Sequence, residues 1–168
     1  GIRRFFDAPC GDFNWMSKVV EETAVDYIGA DIVKPLVEDN RSRHPALRFL
    51  HLDITQDAFP EADVWQCRDC LFHLSNADIL LALENFASSQ IPYALLTTHR
   101  FADRGKTKDI ISGDFRYLDL SSPPFCLPEP IELLADSSKA ESVERFVGLW
   151  DREQIQSCLP KIRERLDR

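Results

Sequence analysis

"FFDAPCGDFNW", residues 5–15, reads as an apolar strand that runs into a tight turn and then into the start of a helix. A glycine in such a turn, here Gly11, marks a nucleotide-type binding loop. Loops of that kind ordinarily carry two or three glycines, so that backbone can approach a pyrophosphate at the helix start. Here Pro9 and Phe13 stand where further glycines are expected. Which cofactor, if any, tolerates that loop has to be decided from the rest of the chain.

Working outward, the helix after the loop is expected over 14–22, with Trp15, Val19 and Val20 near one face. "DYIGAD" is a second strand ending at Asp31. A helix follows around 35–43, with proline tolerated in its first turn. "LRFLHLD" is a third strand ending at Asp53, and "ADVWQCRD" a fourth ending near Asp69. Ser75 opens a capping box for "NADILLALENFASS", whose stripe is Ile79, Leu80, Leu83 and Phe86. "PYALLTTH" is a fifth strand ending at His99. Strands alternating with helices predict a parallel sheet with right-handed crossovers.

After His99 the alternation stops. Residues 100–130 carry charges, Gly105, Gly113 and "SSPPFCLPEP", and no helical period. An irregular, lid-like insertion is expected there, because long irregular loops in compact domains tend to be functional. "PIELLAD" and "ERFVGLW" then predict two strands that add an antiparallel edge. Asp151 and Gln154 cap a final helix, which Pro160 is expected to break or restart.

The 168 residues suit a single domain, 1–168, and 44% apolar content suits a globular one. A net charge of −8 argues against broad phosphate-backbone binding, so a nucleic-acid partner is not expected. No apolar run nears the roughly 20 residues that span a bilayer. Five scattered cysteines suit a reduced cytoplasmic protein better than a disulfide framework. A chain that opens at Gly1, directly before an apolar strand, is expected to have residues ahead of it.

Asp7, Asp31 and Asp53 end three successive predicted strands. Ligands of open parallel sheets bind beyond those ends, at the switch in strand order. A carboxylate there can grip a ribose diol or an ammonium group. Asp31 follows Asp7 at about the 20-residue interval expected of a ribose ligand.

Together "FFDAPCGDFNW", "YIGADI", "LHLDIT" and "CRDCLFHLS" resemble the class I S-adenosylmethionine-dependent methyltransferases, in particular small bacterial members with a DAPCGDFNW motif. The resemblance runs over about residues 5–150. It implies a Rossmann-like, doubly wound α/β fold: a mostly parallel seven-stranded sheet with an antiparallel final strand. It places Asp7, Ala8, Pro9 and Gly11 in the first cofactor motif and Asp31, next to Ile32, on the ribose. It puts Asp53 and Ile54 against adenine, and Arg68 and Asp69 beside the methionine end and the substrate. S-adenosylmethionine has no pyrophosphate, so one close approach at Gly11 suffices and the missing glycines cease to be an objection. The same loop is hard to reconcile with NAD.

Other residues have two readings each. Cys67 and Cys70, with His73 beyond, are either a redox or half-metal motif or small apolar residues at a strand end; with no second CxxC the packing reading is preferred, and no metal is expected. His73 and His99 follow strands four and five, and either histidine, or Asp69, is a candidate base for a hydroxyl acceptor; His99 ranks first, because strand five ends at it and the irregular segment begins just after. The alternative for both histidines is structural. His44 and His51 are read as structural or exposed, Trp65 and Trp150 as core, and Trp15 is left open. Arg100, Arg104, Lys106 and Lys108 form a basic cluster that either meets an anionic substrate or is solvated. The expected function is methyl transfer to a small-molecule or saccharide acceptor. The competing expectation is a non-catalytic Rossmann-like binding or regulatory domain, since fold alone does not fix function.

Overall fold

Strands buried on both faces must be apolar nearly throughout, and Phe6, Ile28, Ala30, Val64, Trp65, Ala94 and Leu96 are all buried. In the computed structural model, which describes residues 1–100, 108–136 and 143–167, they lie in parallel strands. The elements in order are β1 (Arg4–Asp7), α1 (Asn14–Glu22), β2 (Asp26–Asp31), α2 (Lys34–Arg43), β3 (Arg48–His51), β4 (Val64–Cys67), a 3-10 turn (Leu71–His73), α3 (Asn76–Ser88), β5 (Tyr93–Arg100), β6 (Glu132–Ala135), β7 (Glu144–Asp151) and α4 (Arg152–Leu166). The sheet order is β3-β2-β1-β4-β5-β7-β6. Strands β1 to β5 pair in parallel, and β7 is antiparallel to both β5 and β6. This is the expected seven-stranded, Rossmann-like α/β sheet, and its strand order switches direction between β1 and β4.

Two cores cover the two faces. Phe6, Trp65, Ile79, Leu83, Phe86, Ile155 and Ile162 form the larger one, under α3 and α4. Cys10, Phe13, Met16, Tyr27, Val37 and Phe49 form the smaller, under α1 and α2. Trp65 and Trp150 are core, as expected. The described residues 108–130 hold no helix or strand. They are packed nonetheless: Leu118, Leu120, Phe125 and Leu127 enter the larger core. Arg104, Gly105 and Lys106 lie outside the described residues.

Three expectations are corrected. Pro160 neither breaks nor restarts the last helix, because α4 runs through it from Arg152 to Leu166. The buried Ile155 and Ile162 anchor α4 on either side of the proline, and that packing outweighs one lost backbone hydrogen bond. The third strand stops at His51 and the fourth at Cys67, so Asp53 and Asp69 stand in the turns beyond. Trp15, whose reading was open, is 45% exposed, and Met16 is the buried residue of α1. At α3 the box is half-formed: Ser75 Oγ accepts from the Asp78 N–H, but the Ser75 N–H donates to Ser112 Oγ. By contrast, Asp151 and Gln154 complete theirs.

Candidate functional site

The loop after β1 is tied down on both sides. The Ala8 N–H donates to the Gln66 carbonyl at 2.9 Å, and the Cys10 N–H to the Ala30 carbonyl at 2.8 Å. Gly11 takes φ +55°, a left-handed conformation that favours glycine, and the space a Cβ would fill is open. Its N–H donates to Asp31 Oδ2 at 3.2 Å. Phe13 is also left-handed, at φ 60°, and it caps α1. A side chain in that conformation costs roughly 1–3 kcal/mol. The Phe13 ring compensates by packing against Tyr27, Phe49 and His44 with centroids 4.9, 5.2 and 4.8 Å away. Phenylalanine thus holds a position where glycine would be the default, because its ring is a keystone of the smaller core.

The three strand-end carboxylates have separated roles. Asp7 is buried below the rim, where Tyr27 Oη donates to Oδ2 at 2.8 Å and Gln66 Nε2 to Oδ1 at 3.0 Å. Burial pushes its carboxyl up to about 6, against the opposing pull of those hydrogen bonds and of Arg68. Asp31 accepts from the N–H groups of Gly11 and Val33, so it couples the β1 loop to the β2 loop. Asp53 accepts from the Thr55 N–H and hydroxyl and from Gln56 Nε2. Burial acts to raise Asp53, but those donors outweigh it and hold the carboxyl below its ordinary value. Its oxygens therefore organise the turn after β3.

Between these loops lies a small apolar cleft of about 90 Å³, lined by Pro9, Asp31, Ile32, Leu52, Ile54 and Leu74 among others. Ile32, 59% exposed, stands at its mouth. Other hollows, along 58–61 and 85–90 and near Arg3 and Asp26, are larger but lie away from the carboxyl ends of the strands. The small cleft is the one at the switch in strand order, and position decides over size.

Across the switch, beyond β4, Arg68 grips both oxygens of Asp136 at 3.0 and 3.1 Å. Its guanidinium also sits 5.0 Å from the centre of the Trp15 ring. Asp69 is left-handed at φ 54°; its Oδ2 meets Arg68 at 3.0 Å. Among the described residues Oδ1 has no hydrogen bond, and the Arg145 guanidinium lies 3.5 Å from it. The Cys67 thiol is pushed well above its ordinary value, by burial first and then by its hydrogen bond with Cys70, so it is a poor thiolate. His51 Nε2 contacts the Ile32 carbonyl at 3.0 Å, and His44 caps α2. Arg100 pairs with Glu129 at 2.9 Å.

The two rim histidines differ in which nitrogen is occupied. His73 Nδ1 lies 2.8 Å from the Asp114 carbonyl, an acceptor, so Nδ1 carries the hydrogen and Nε2 the lone pair. His99 is buried, and the Leu118 N–H, which can only donate, points at its Nδ1 from 3.2 Å. The Leu118 carbonyl is 3.4 Å from the same nitrogen but already accepts from the His99 N–H at 2.7 Å. The neutral His99 ring therefore carries its hydrogen on Nε2.

Sequence reasoning did not find three partners: Tyr27 and Gln66 on Asp7, and Asp136 on Arg68. Tyr27 and Gln66 come from the strands on either side of β1 and Asp136 from just past β6, all far away in sequence, and no local spacing announces such pairings. It also passed over Phe115 and Tyr117, whose alternation around Arg116 was a visible signal.

No protein-family model and no curated protein matches the chain. Solved structures do. The mitomycin 7-O-methyltransferase superposes with a TM-score of 0.69 at 14% identity, over 90% of this chain and 49% of its own. An O-methyltransferase from a trans-AT polyketide synthase multienzyme of Brevibacillus brevis, in complex with S-adenosyl-L-homocysteine, gives 0.66 at 11%, over 98% and 73%. The 1,6-didemethyltoxoflavin N1-methyltransferase of Burkholderia thailandensis, with its substrate and S-adenosylhomocysteine bound, gives 0.67 at 14%, over 88% and 70%. The chain has the class I methyltransferase fold. It spans about half the length of the first of these three and about seven-tenths of the other two. Among its described residues, no helix is long and apolar enough to cross a membrane.

Proposed function

We propose that the protein is an S-adenosylmethionine-dependent methyltransferase acting on a small-molecule acceptor, saccharides included. The observation that carries this reading is the apolar cleft at the switch in strand order, with the Asp31 carboxylate at its edge and an open left-handed Gly11 beside it. The lining fits an adenosyl group: Pro9, Ile32, Leu52 and Ile54 offer apolar faces, and Asp31 is an acceptor for ribose hydroxyls. Asp53 shapes the adenine side through its turn. The turn from Ala8 to Gly11, with no side chain at Gly11, lets the methionine end approach closely, with Asp7 beneath and Arg68 across from it. Bound there, the cofactor would supply a methyl group activated by sulfonium, which the acceptor's lone pair displaces in line as the C–S electron pair leaves on sulfur.

The chain's own contribution is position and proton transfer. A hydroxyl acceptor must shed its proton, and His73 Nε2 presents a lone pair at the rim to receive it. Both oxygens of Asp69 face guanidiniums, so Asp69 is already engaged. A proton acceptor poised at the rim favours catalysis over a purely binding or regulatory role. Residues 108–130 are read as the cover of the acceptor side, strapped to the 3-10 turn by the Gly113 N–H on the His73 carbonyl and the Arg116 N–H on the Phe72 carbonyl. Free cysteines at all five positions support a cytoplasmic setting.

Equilibrium dialysis with radiolabelled S-adenosylmethionine tests the cofactor assignment. S-adenosylhomocysteine is expected to displace the label, and NAD at the same concentration is not. Displacement by NAD alone would sink the reading.

A further inference from the structure

Surface segments normally turn their charges outward and their rings inward. Residues 115–117 do the reverse. Phe115 is 55% exposed and Tyr117 44%, while Arg116 between them is buried. Its guanidinium donates to the Leu74 carbonyl at 2.7 Å and pairs with Asp109 at 3.2 Å. The buried arginine fixes the segment, and so fixes which way the two rings face. Ile111, nearby in sequence, is 81% exposed. Exposed apolar groups held together in this way mark a binding surface.

The rings form a ladder that ends on both rim histidines. Phe115 and Tyr117 meet edge-on with centroids 5.3 Å apart. Phe115 lies 5.7 Å from the His73 ring, and Tyr117 lies 5.3 Å from the His99 ring. Phe72 packs beneath, 5.6 Å from Phe115 and 5.2 Å from His99. Polar side chains alongside are already committed. Ser112 Oγ bonds Asp78 and the Ser75 N–H. Asp109 Oδ1 takes the Asn76 and Ile110 N–H groups and Arg116. The Thr98 hydroxyl serves the Leu120 N–H. A sugar would bring many hydroxyls to a surface on which Ser112, Asp109 and Thr98 are already bonded. A flat ring with one hydroxyl brings a single polar group, and the His73 ring is there to meet it.

We infer that the acceptor is a planar aromatic molecule bearing a ring hydroxyl, stacked on Phe115 and Tyr117 with the hydroxyl toward His73. This rests on the methyl-transfer reading above and narrows it. Fluorescence titration with 7-hydroxycoumarin, with and without S-adenosylhomocysteine, is the test. Methyl α-D-glucopyranoside followed by saturation-transfer NMR serves as the saccharide probe, and calorimetry follows the nucleoside separately. Saturable coumarin binding is expected. Phe115→Ala and Tyr117→Ala should each weaken it about five- to ten-fold, as loss of a ring–ring contact does. Both residues are exposed, so unchanged melting temperature and unchanged S-adenosylhomocysteine affinity should accompany the loss. Coumarin binding that ignores both substitutions, or glucoside binding without coumarin binding, overturns the inference. So does self-association that Phe115→Ala abolishes in sedimentation without any coumarin site, because the rings would then face another protein. Coumarin bound at the rings without nucleoside binding would instead refute the methyl-transfer reading and leave the aromatic site standing.

Discussion

At the scale of single residues, the site is governed by which hydrogen bonds are already spent. Asp7 illustrates it: burial lifts its carboxyl to about 6, above the ordinary value near 4. Between those values the folded chain holds a proton that the unfolded chain has released. The stability Asp7 contributes is therefore fully present below about pH 4 and is lost as pH rises through about 6. Urea unfolding of wild type and Asp7→Asn across pH 4–7 should show their difference moving in the variant's favour as pH rises; a constant difference would mean that Asp7 does not titrate in that window. His73 makes the complementary case. With Nδ1 held by the Asp114 carbonyl, His73→Ala should lower kcat by about 10²–10⁴ and remove a limb of the pH–rate profile, with cofactor affinity kept. His99→Ala should lose less and keep that limb. The reverse ranking would return proton removal to His99. Sequence position alone placed both histidines at the rim. It favoured His99, at the expected end of the fifth strand, and His73 now ranks first because the backbone groups on the two Nδ1 atoms, Asp114 and Leu118, come from the irregular segment.

At the scale of elements, the chain was legible wherever local chemistry and packing agree. The strand–turn–helix after Phe5, the Asp151 capping box and the α3 stripe all formed as their patterns required. Helix α4 is where the two disagree. Pro160 breaks the local rule and is exposed, while the buried Ile155 and Ile162 hold the helix on either side. Pro160→Ala should then restore a backbone hydrogen bond without loss of packing. A gain of about 2 kcal/mol is expected, from the helix preference less the greater freedom of the unfolded chain. Thermal unfolding measures it, and an unchanged or lower melting temperature would mean that the backbone around Pro160 has already adjusted. Segment 108–130 was legible only as a loss of periodicity. Its path is set by Arg116 and by backbone bonds to the 3-10 turn, which no spacing rule anticipates.

At the scale of the whole molecule, the order of the strands makes the site. Placing β4 beside β1 opens the crevice at the carboxyl ends, and the loops after β1, β2 and β3 converge there. Alternating strand and helix patterns were enough to predict the parallel strands; the antiparallel edge came from the strand pair after the break and from the family resemblance. The interval after Asp7 and the family resemblance singled out Asp31 for the ribose; that Asp7 is buried against Tyr27 and Gln66 and that Asp53 is bonded within its own turn was not legible, because those donors and that burial have no local spacing. The central claim is that Asp31 grips the ribose of an adenosyl cofactor in that crevice. Calorimetric titration with S-adenosylhomocysteine, on wild type and on an Asp31→Ala variant shown to keep its fold, tests it most directly. The prediction is one saturable site in the wild type, weakened in the variant by about 1.5–3 kcal/mol, the range for a hydrogen bond to a charged group. No binding to the wild type, or equal affinity in the two proteins, would contradict it.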